Sequence, residues 1–199
     1  ATVMLAYAIV RRAQRLLHLA ARDRLTGVYN RGQFDVALEF EVSRAIELGH
    51  ELSIAVLDLD RFKNINDTFG HAAGDRVLVE VAARLARAMR ATDMIARYGG
   101  EEFAVLFPQT DRAAAAVRVE TLRAQIAAFP MLAPEGDELT ITCSAGIAEL
   151  PLDGLDAGTL LARADHRLLA AKRAGRDRLH SDDSEAHCRS DFSPTSVSG

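Results

Sequence analysis

Arg97-Tyr98-Gly99-Gly100-Glu101-Glu102-Phe103 joins a Gly-Gly pair to two adjacent carboxylates, and the apolar run Phe103-Ala104-Val105-Leu106-Phe107 follows at once. A glycine pair between two extended segments predicts a hairpin turn, because glycine reaches positive φ without a Cβ clash. Successive strand residues point to opposite faces, so Glu101 and Glu102 cannot both be buried in the same way. One carboxylate can face a metal while the other faces solvent or substrate. On these few residues alone, a solvated hairpin tip is an equal reading.

Working outward, a short strand over about 94–98 leads into the hairpin. Before it, a helix over about 74–90 carries Leu78, Val81, Leu85 and Met89 on one face. Earlier still, 52–58 reads as a strand with a continuous apolar run from Ile54 to Leu57, preceded by a helix over about 31–48. After the hairpin, Ala115, Val119, Leu122, Ile126 and Phe129 fall at helical spacing. Leu139, Ile141, Cys143, Ala145 and Ile147 alternate as a strand, and a last helix spans about 157–174. The order β-α-β-β-α-β predicts an α+β fold: a ferredoxin-like βαββαβ core with an antiparallel central sheet and helices on one face.

Residues 3–22 read as a linker helix, with Val3, Ala6, Val10, Ala13, Leu17 and Ala20 forming a heptad seam of about two and a half repeats. Such a seam would pair with its twin in a dimer. The apolar run Val3 to Val10 followed by Arg11-Arg12 has two readings. It is either the last turns of a transmembrane helix, tethering a cytoplasmic domain to the inner face of the membrane, or the apolar face of a connector. The chain thus divides into a linker, 1–22, a folded domain, 23–179, and a Ser- and Asp-rich tail, 180–199, read as disordered.

With 199 residues, 49% of them hydrophobic and 26% charged, the chain can bury one full core. A formal net charge of −4 argues against a dedicated nucleic-acid surface. Cys143 and Cys188 have no metal-ligand spacing and read as reduced thiols of a cytoplasmic domain.

Asp58 ends an apolar strand, where a carboxylate costs stability unless it is paired or holds a cation. Two residues on, Asp60 shares its face in an extended segment and also reads as the cap of a short helix starting near Arg61. Strand-end carboxylates plus a hairpin glutamate form a hard-oxygen set suited to Mg²⁺, and in this topology Asp58 and Glu101 can meet across neighbouring strands.

Four ordered blocks carry a resemblance. They are Asp23-x-Leu25-Thr26-Gly27-x-x-Asn30-Arg31, then Asp58-x-Asp60-x-Phe62-Lys63-x-x-Asn66-Asp67-x-x-Gly70-His71-x-x-Gly74-Asp75, then Gly99-Gly100-Glu101-Glu102-Phe103, and Ser144-x-Gly146 with Ala164-Asp165 and Ala171-Lys172-x-x-Gly175-Arg176. Together they resemble a GGDEF-family diguanylate cyclase domain of nucleotidyl-cyclase, palm-like fold. The resemblance implies that Asp58 and Glu101, with the Leu59 carbonyl, ligate two Mg²⁺ ions per half-site, Mn²⁺ being the alternative. It implies that Asn66 and Asp75 read the guanine edge, and that Phe62, Lys63, Lys172 and Arg176 meet the phosphates. Read without the family, Asn66 and Asp75 are helix-end residues, and Lys172 and Arg176 form a solvated i, i+4 pair.

Glu102 would stand near the attacking hydroxyl, as a base or as an ordering charge. The implied reaction condenses two GTP into cyclic di-GMP across a homodimer, with an upstream sensor or membrane segment. Arg90-x-x-Asp93 resembles the family's inhibitory product site; by itself it is a local ion pair. A second arginine, present in some members, is replaced by Thr121, with Arg118 and Arg123 nearby. Further departures are Leu169 for Tyr, Asp177 for Asn and Gly32 for Arg. A non-catalytic module that binds GTP or cyclic di-GMP is the alternative.

Overall fold

The computed structural model describes residues 21–128, 131–132 and 138–182. The linker helix and its seam at residues 1–20, Phe129, and the tail from 183 with Cys188 lie outside them. Among the described residues no helix is long and apolar enough to cross a membrane.

The elements run β1 (Tyr29–Asn30), α1 (Arg31–Leu48), β2 (Leu52–Leu59), α2 (Phe62–Phe69), α3 (His71–Ala88), β3 (Met94–Arg97), β4 (Glu102–Pro108), α4 (Arg112–Ala127), β5 (Met131–Leu132), β6 (Glu138–Leu139), β7 (Cys143–Leu150), α5 (Ala157–Arg173) and β8 (Leu179–His180). Six strands form one sheet in the order β1-β3-β4-β2-β7-β8, and β5 and β6 pair separately. The βαββαβ order is present, with β2, β3, β4 and β7 antiparallel at its centre. The edges β1 and β8 join in parallel.

Helices cover both faces of the sheet, not one. Every residue of β2 is buried. Leu52, Ile54 and Val56 pack with Phe34 and Leu38 of α1 and Leu160 and Leu168 of α5. Ala55, Leu57 and Leu59 pack with Val81 and Leu85 of α3 and Val119 and Leu122 of α4. A strand apolar at odd and even positions alike is a strand buried on both sides. The alternation read from Leu139 begins too early: β7 starts at Cys143, and Leu139 belongs to the small β5–β6 pair. The boundary expected after Leu179 is also too early, since His180 pairs in register with Gly146 and is buried.

Beyond β7, Asp153 anchors a buried charge network. Arg167 of α5 donates to both Asp153 carboxylate oxygens at 2.7 Å and to the Ile147 carbonyl at 2.8 Å. Arg112 donates to Asp153 Oδ2 at 2.8 Å, as does the Glu149 N–H at 2.9 Å. This pins α5, and so the position of Lys172, to the sheet.

Candidate active site

One end of the sheet gathers three carboxylates. Asp58 is the penultimate residue of β2 and lies opposite Glu102 in the β2–β4 register, so it is Glu102 and not Glu101 that is its direct cross-strand partner. Opposed residues of an antiparallel pair share a face. That face is the one covered by α1 and α5, where Ile54, Val56, Ala104 and Leu106 are buried. Glu101 stands in the turn, where its carbonyl accepts the Leu59 N–H at 3.2 Å. Neither turn glycine adopts a positive φ. The role of Gly99 is space: a Cβ there would overlap the Glu102 carboxylate.

Lys172 of α5 pairs with Asp58 Oδ2 at 2.7 Å, a contact that the sequence did not indicate. Burial, helped by the Asp60 charge, holds the Asp58 carboxyl above its usual range, against the pull of Lys172 and Arg176. Burial and then the Asp58 charge raise Glu101 and Glu102 as well, again opposed by Lys172. Three carboxylates crowded against one ammonium are under-neutralised, which favours capture of a cation. Among the described residues, no group of three His, Cys, Asp or Glu side chains cages a metal by itself.

Asn66 sits inside α2. Its amide lies over Gly74 of α3, where a Cβ would overlap Asn66 Oδ1 and stand 3.1 Å from Phe62 Cζ. The α2–α3 corner at Gly70 (φ 80°) thereby brings Asn66 beside the helix turn that carries Asp75. Phe62 is buried under this corner while Lys63 and Asp75 are exposed.

Asp60 caps no helix. Arg61 precedes α2 in a left-handed conformation (φ 55°), without a side-chain cap. The buried Asp60 carboxylate accepts from Ser144 Oγ at 2.7 Å, Thr142 Oγ1 at 2.8 Å and the Asp177 N–H at 3.0 Å. It ties the end of β2 to β7 and to the turn after α5. That turn also corrects the pairing expected for Lys172 and Arg176. The helix ends at Arg173, and Arg176 (φ 66°) and Asp177 (φ 47°) are both left-handed, so the two cations do not share a helical face. Both still act on the Asp58 charge. The Asp177 carboxylate is held by Arg123 Nη1 at 2.8 Å.

Arg90 and Asp93 do not form the side-chain pair their spacing suggests. The Arg90 N–H donates to Asp93 Oδ2 at 2.6 Å, while both carboxylate oxygens are taken by the Arg118 guanidinium of α4. Arg118 also covers the Phe107 ring, 4.8 Å from its centroid. It lies three residues, about one helical turn, before Thr121, whose hydroxyl is spent on the Val117 carbonyl.

Arg97 links the opening of the domain to the turn. It donates to the Gly100 carbonyl at 2.8 and 3.1 Å and pairs with Asp23 at 3.3 Å. Burial opposes ionisation of Asp23, but hydrogen bonds from the Thr26 hydroxyl and N–H, with Arg97, hold its carboxyl below the usual range.

The diguanylate cyclase, GGDEF-domain family profile matches residues 20–178. The chain is 51% identical over 161 residues to the diguanylate cyclase DgcP of Pseudomonas aeruginosa, covering 80% of this chain and 24% of that protein. It is 43% identical over 162 residues to the response regulator PleD of Caulobacter vibrioides, covering 81% of this chain and 36% of that protein. The chain therefore spans well under half the length of these relatives. The coiled coil and GGDEF domain of DgcB from Caulobacter crescentus, solved in complex with c-di-GMP, superposes with a TM-score of 0.85 at 32% identity, covering 91% of this chain and 95% of that one. Fold and similarity agree: the chain belongs to the GGDEF diguanylate cyclase domain family.

Proposed function

We propose that this domain is an active diguanylate cyclase, condensing two GTP into cyclic di-GMP and two pyrophosphates. The observation that carries the reading is the convergence of Asp58, Glu101 and Glu102 with Lys172 at one sheet end, beside the Asn66–Gly74 corner. The donor set fits a hard divalent cation, which takes one or two carboxylates and completes its shell with substrate phosphates. Asp58, Glu101 and the Leu59 carbonyl would hold it, with two Mg²⁺ per half-site, or Mn²⁺, as the working expectation. When bound, such ions offset charge on the reacting phosphate.

The protein's own groups do the rest by position. Asp75 accepts from the guanine N1–H and exocyclic amine while the Asn66 amide bonds the same base edge, which favours guanine over adenine because a site built for those hydrogen bonds is left unpaired by the wrong base. Lys63 and Arg176 meet the phosphates over Phe62. Lys172, a compact ammonium on a flexible stem, exchanges Asp58 for a phosphate oxygen. The 3′-oxygen of one GTP attacks the α-phosphorus of the other, the α-phosphorus bond to the bridging oxygen breaks and pyrophosphate leaves; the reciprocal attack by the second 3′-oxygen closes the ring and releases the second pyrophosphate. Glu102 stands at the hydroxyl, and its raised pKa makes it a better proton acceptor than a solvated carboxylate. Each domain holds one GTP, so two copies must face each other across a two-fold axis. A sensor or membrane segment ahead of the domain would set that pairing.

The test is direct. A confirmed dimer given GTP and Mg²⁺ is expected to release cyclic di-GMP and pyrophosphate in a 1:2 ratio, read by chromatography and a phosphate assay. A confirmed dimer without turnover would leave the non-catalytic binding module. Gly74→Ala is expected to keep the fold while displacing Asn66, raising KM for GTP at least about tenfold with a smaller effect on kcat. Steady-state kinetics check this.

The product site is the second part of the proposal. Arg90 would grip a phosphate and stack on guanine, and Asp93 would accept from the guanine edge once Arg118 turns away from it. Arg90→Ala is expected to raise the cyclic di-GMP concentration for half-inhibition at least about tenfold, as loss of a charged hydrogen bond does. Unchanged inhibition would remove Arg90 from this role.

A further inference from the structure

A cavity of about 450 Å³ opens beside α2, lined by its Arg61, Asn64, Ile65, Thr68 and Phe69. These positions recur at helical spacing on one face of the helix. Phe62 and Asn66, which lie against Gly74, occupy the other. The helix is thus a wall between the proposed guanine site and a second concavity. Its opposite wall is the stretch before β7 and the turn after α5.

Backbone strain gathers around this space. Among the described residues, four non-glycine residues have positive φ, and three of them, Arg61, Arg176 and Asp177, line the cavity. Such conformations persist only where their surroundings enforce them, and they concentrate at ligand clamps. Here the enforcement is visible. Asp60 spends its carboxylate on Thr142, Ser144 and the Asp177 N–H, and Asp177 is held by Arg123. Asp177 is thus ion-paired, and the Asp60 carboxylate keeps its charge but is turned to three hydrogen-bond donors and is outnumbered by Arg61 and Arg176 at the rim. The exposed Arg61 and Arg176 guanidiniums have no ion pair or side-chain hydrogen bond among the described residues. The floor is apolar, with Ile65 and Leu139 buried and Phe69 partly buried. An apolar floor with a few polar groups and a cationic rim is the usual make-up of a small-ligand pocket.

We infer that this cavity is a second binding site, for a small organic anion with a flat or aliphatic body and one phosphate, sulfonate or carboxylate end. The body lies on Phe69, Ile65 and Leu139, and the anionic end lies between Arg61 and Arg176. An occupant also withdraws Arg176 from the triphosphate and so inhibits turnover; this last clause rests on the cyclase reading.

The probe is 8-anilinonaphthalene-1-sulfonate, titrated into the folded protein by fluorescence and by amide chemical-shift mapping. Saturable binding of one probe per chain is expected, with shifts centred on residues 61–69, 139–142 and 175–177. Arg61→Ala is expected to weaken binding about tenfold, and Arg61→Lys to recover part of the loss. Thr68→Trp, placed to fill the cavity, is expected to abolish binding at an unchanged melting temperature. The probe is expected to inhibit GTP turnover in the parent and not in Thr68→Trp. Non-saturable binding, shifts centred elsewhere, or unchanged affinity in both Arg61→Ala and Thr68→Trp overturns the site. Probe binding needs no turnover, so an inactive protein would refute the cyclase reading and leave this test standing.

Discussion

Glu101→Ala is expected to fold as the parent does and to make no measurable cyclic di-GMP. The side chain stands half-buried in the β3–β4 turn, and the structural contact Glu101 makes is through its backbone carbonyl to Leu59. Removing the side chain therefore leaves no buried partner unsatisfied, and surface changes of that kind stay within about 0.5 kcal/mol. It also relieves repulsion, since burial and the Asp58 charge already hold Glu101 above its usual range. Activity responds in the opposite direction. Outer-shell partners of a metal ligand are worth about 10- to 100-fold, so loss of a proposed ligand should exceed that. Thermal melting paired with product chromatography separates the two effects. Turnover above about a tenth of the parent's would take Glu101 out of the ligand set.

Asp153→Ala is the prediction with the largest effect on stability. Asp153 and Arg167 side chains are 6% and 3% exposed, and the guanidinium grips the carboxylate through two hydrogen bonds. Truncating the acid removes the carboxylate that grips this buried cation, and breaking a buried pair in this way costs about 3–5 kcal/mol. Arg167→Met is the milder change, because Asp153 keeps Arg112 and the Glu149 N–H. Burial alone would raise the Asp153 carboxyl, but Arg167, the Glu149 N–H and Arg112 outweigh it and hold the group below its ordinary value. A depressed acid stabilises the fold above its unfolded pKa, about 3.9, and that contribution is lost as pH falls through the folded value. Asp153→Asn should therefore flatten the acid limb of a stability–pH curve below about pH 4. Glu149 alongside is raised by burial and carries the opposite sign, so it does not mimic this change.

Much of this molecule can be read from local pattern. Two alternate apolar registers over Ile54 to Leu57 announce a strand, and the helices are fixed to within a few residues by apolar spacing such as Leu78, Val81 and Leu85. Four spaced motif blocks pointed to the family. What local pattern misses is contact between distant segments. The Lys172–Asp58 pair joins residues 114 apart in the chain, and the Asp60–Asp177 N–H bond joins residues 117 apart. Asp60 beside a helix start resembles a cap until β7 arrives with Thr142 and Ser144. Arg118 gives no sequence signal beyond lying one turn from Thr121, yet it takes both oxygens of Asp93. Helices on both faces of the sheet were in principle legible, because the same apolar run has no polar side.

The Arg97 bridge changes how an input arriving at this domain can act. Its guanidinium holds the Gly100 carbonyl with two donors and Asp23 with the rest. The segment at Asp23 and the turn that carries Glu101 are thus cross-linked through one side chain. A displacement of Asp23 is therefore expected to reach the Glu101 turn through this one guanidinium. In the two-fold pair proposed above, output would then follow the angle at which two such faces meet.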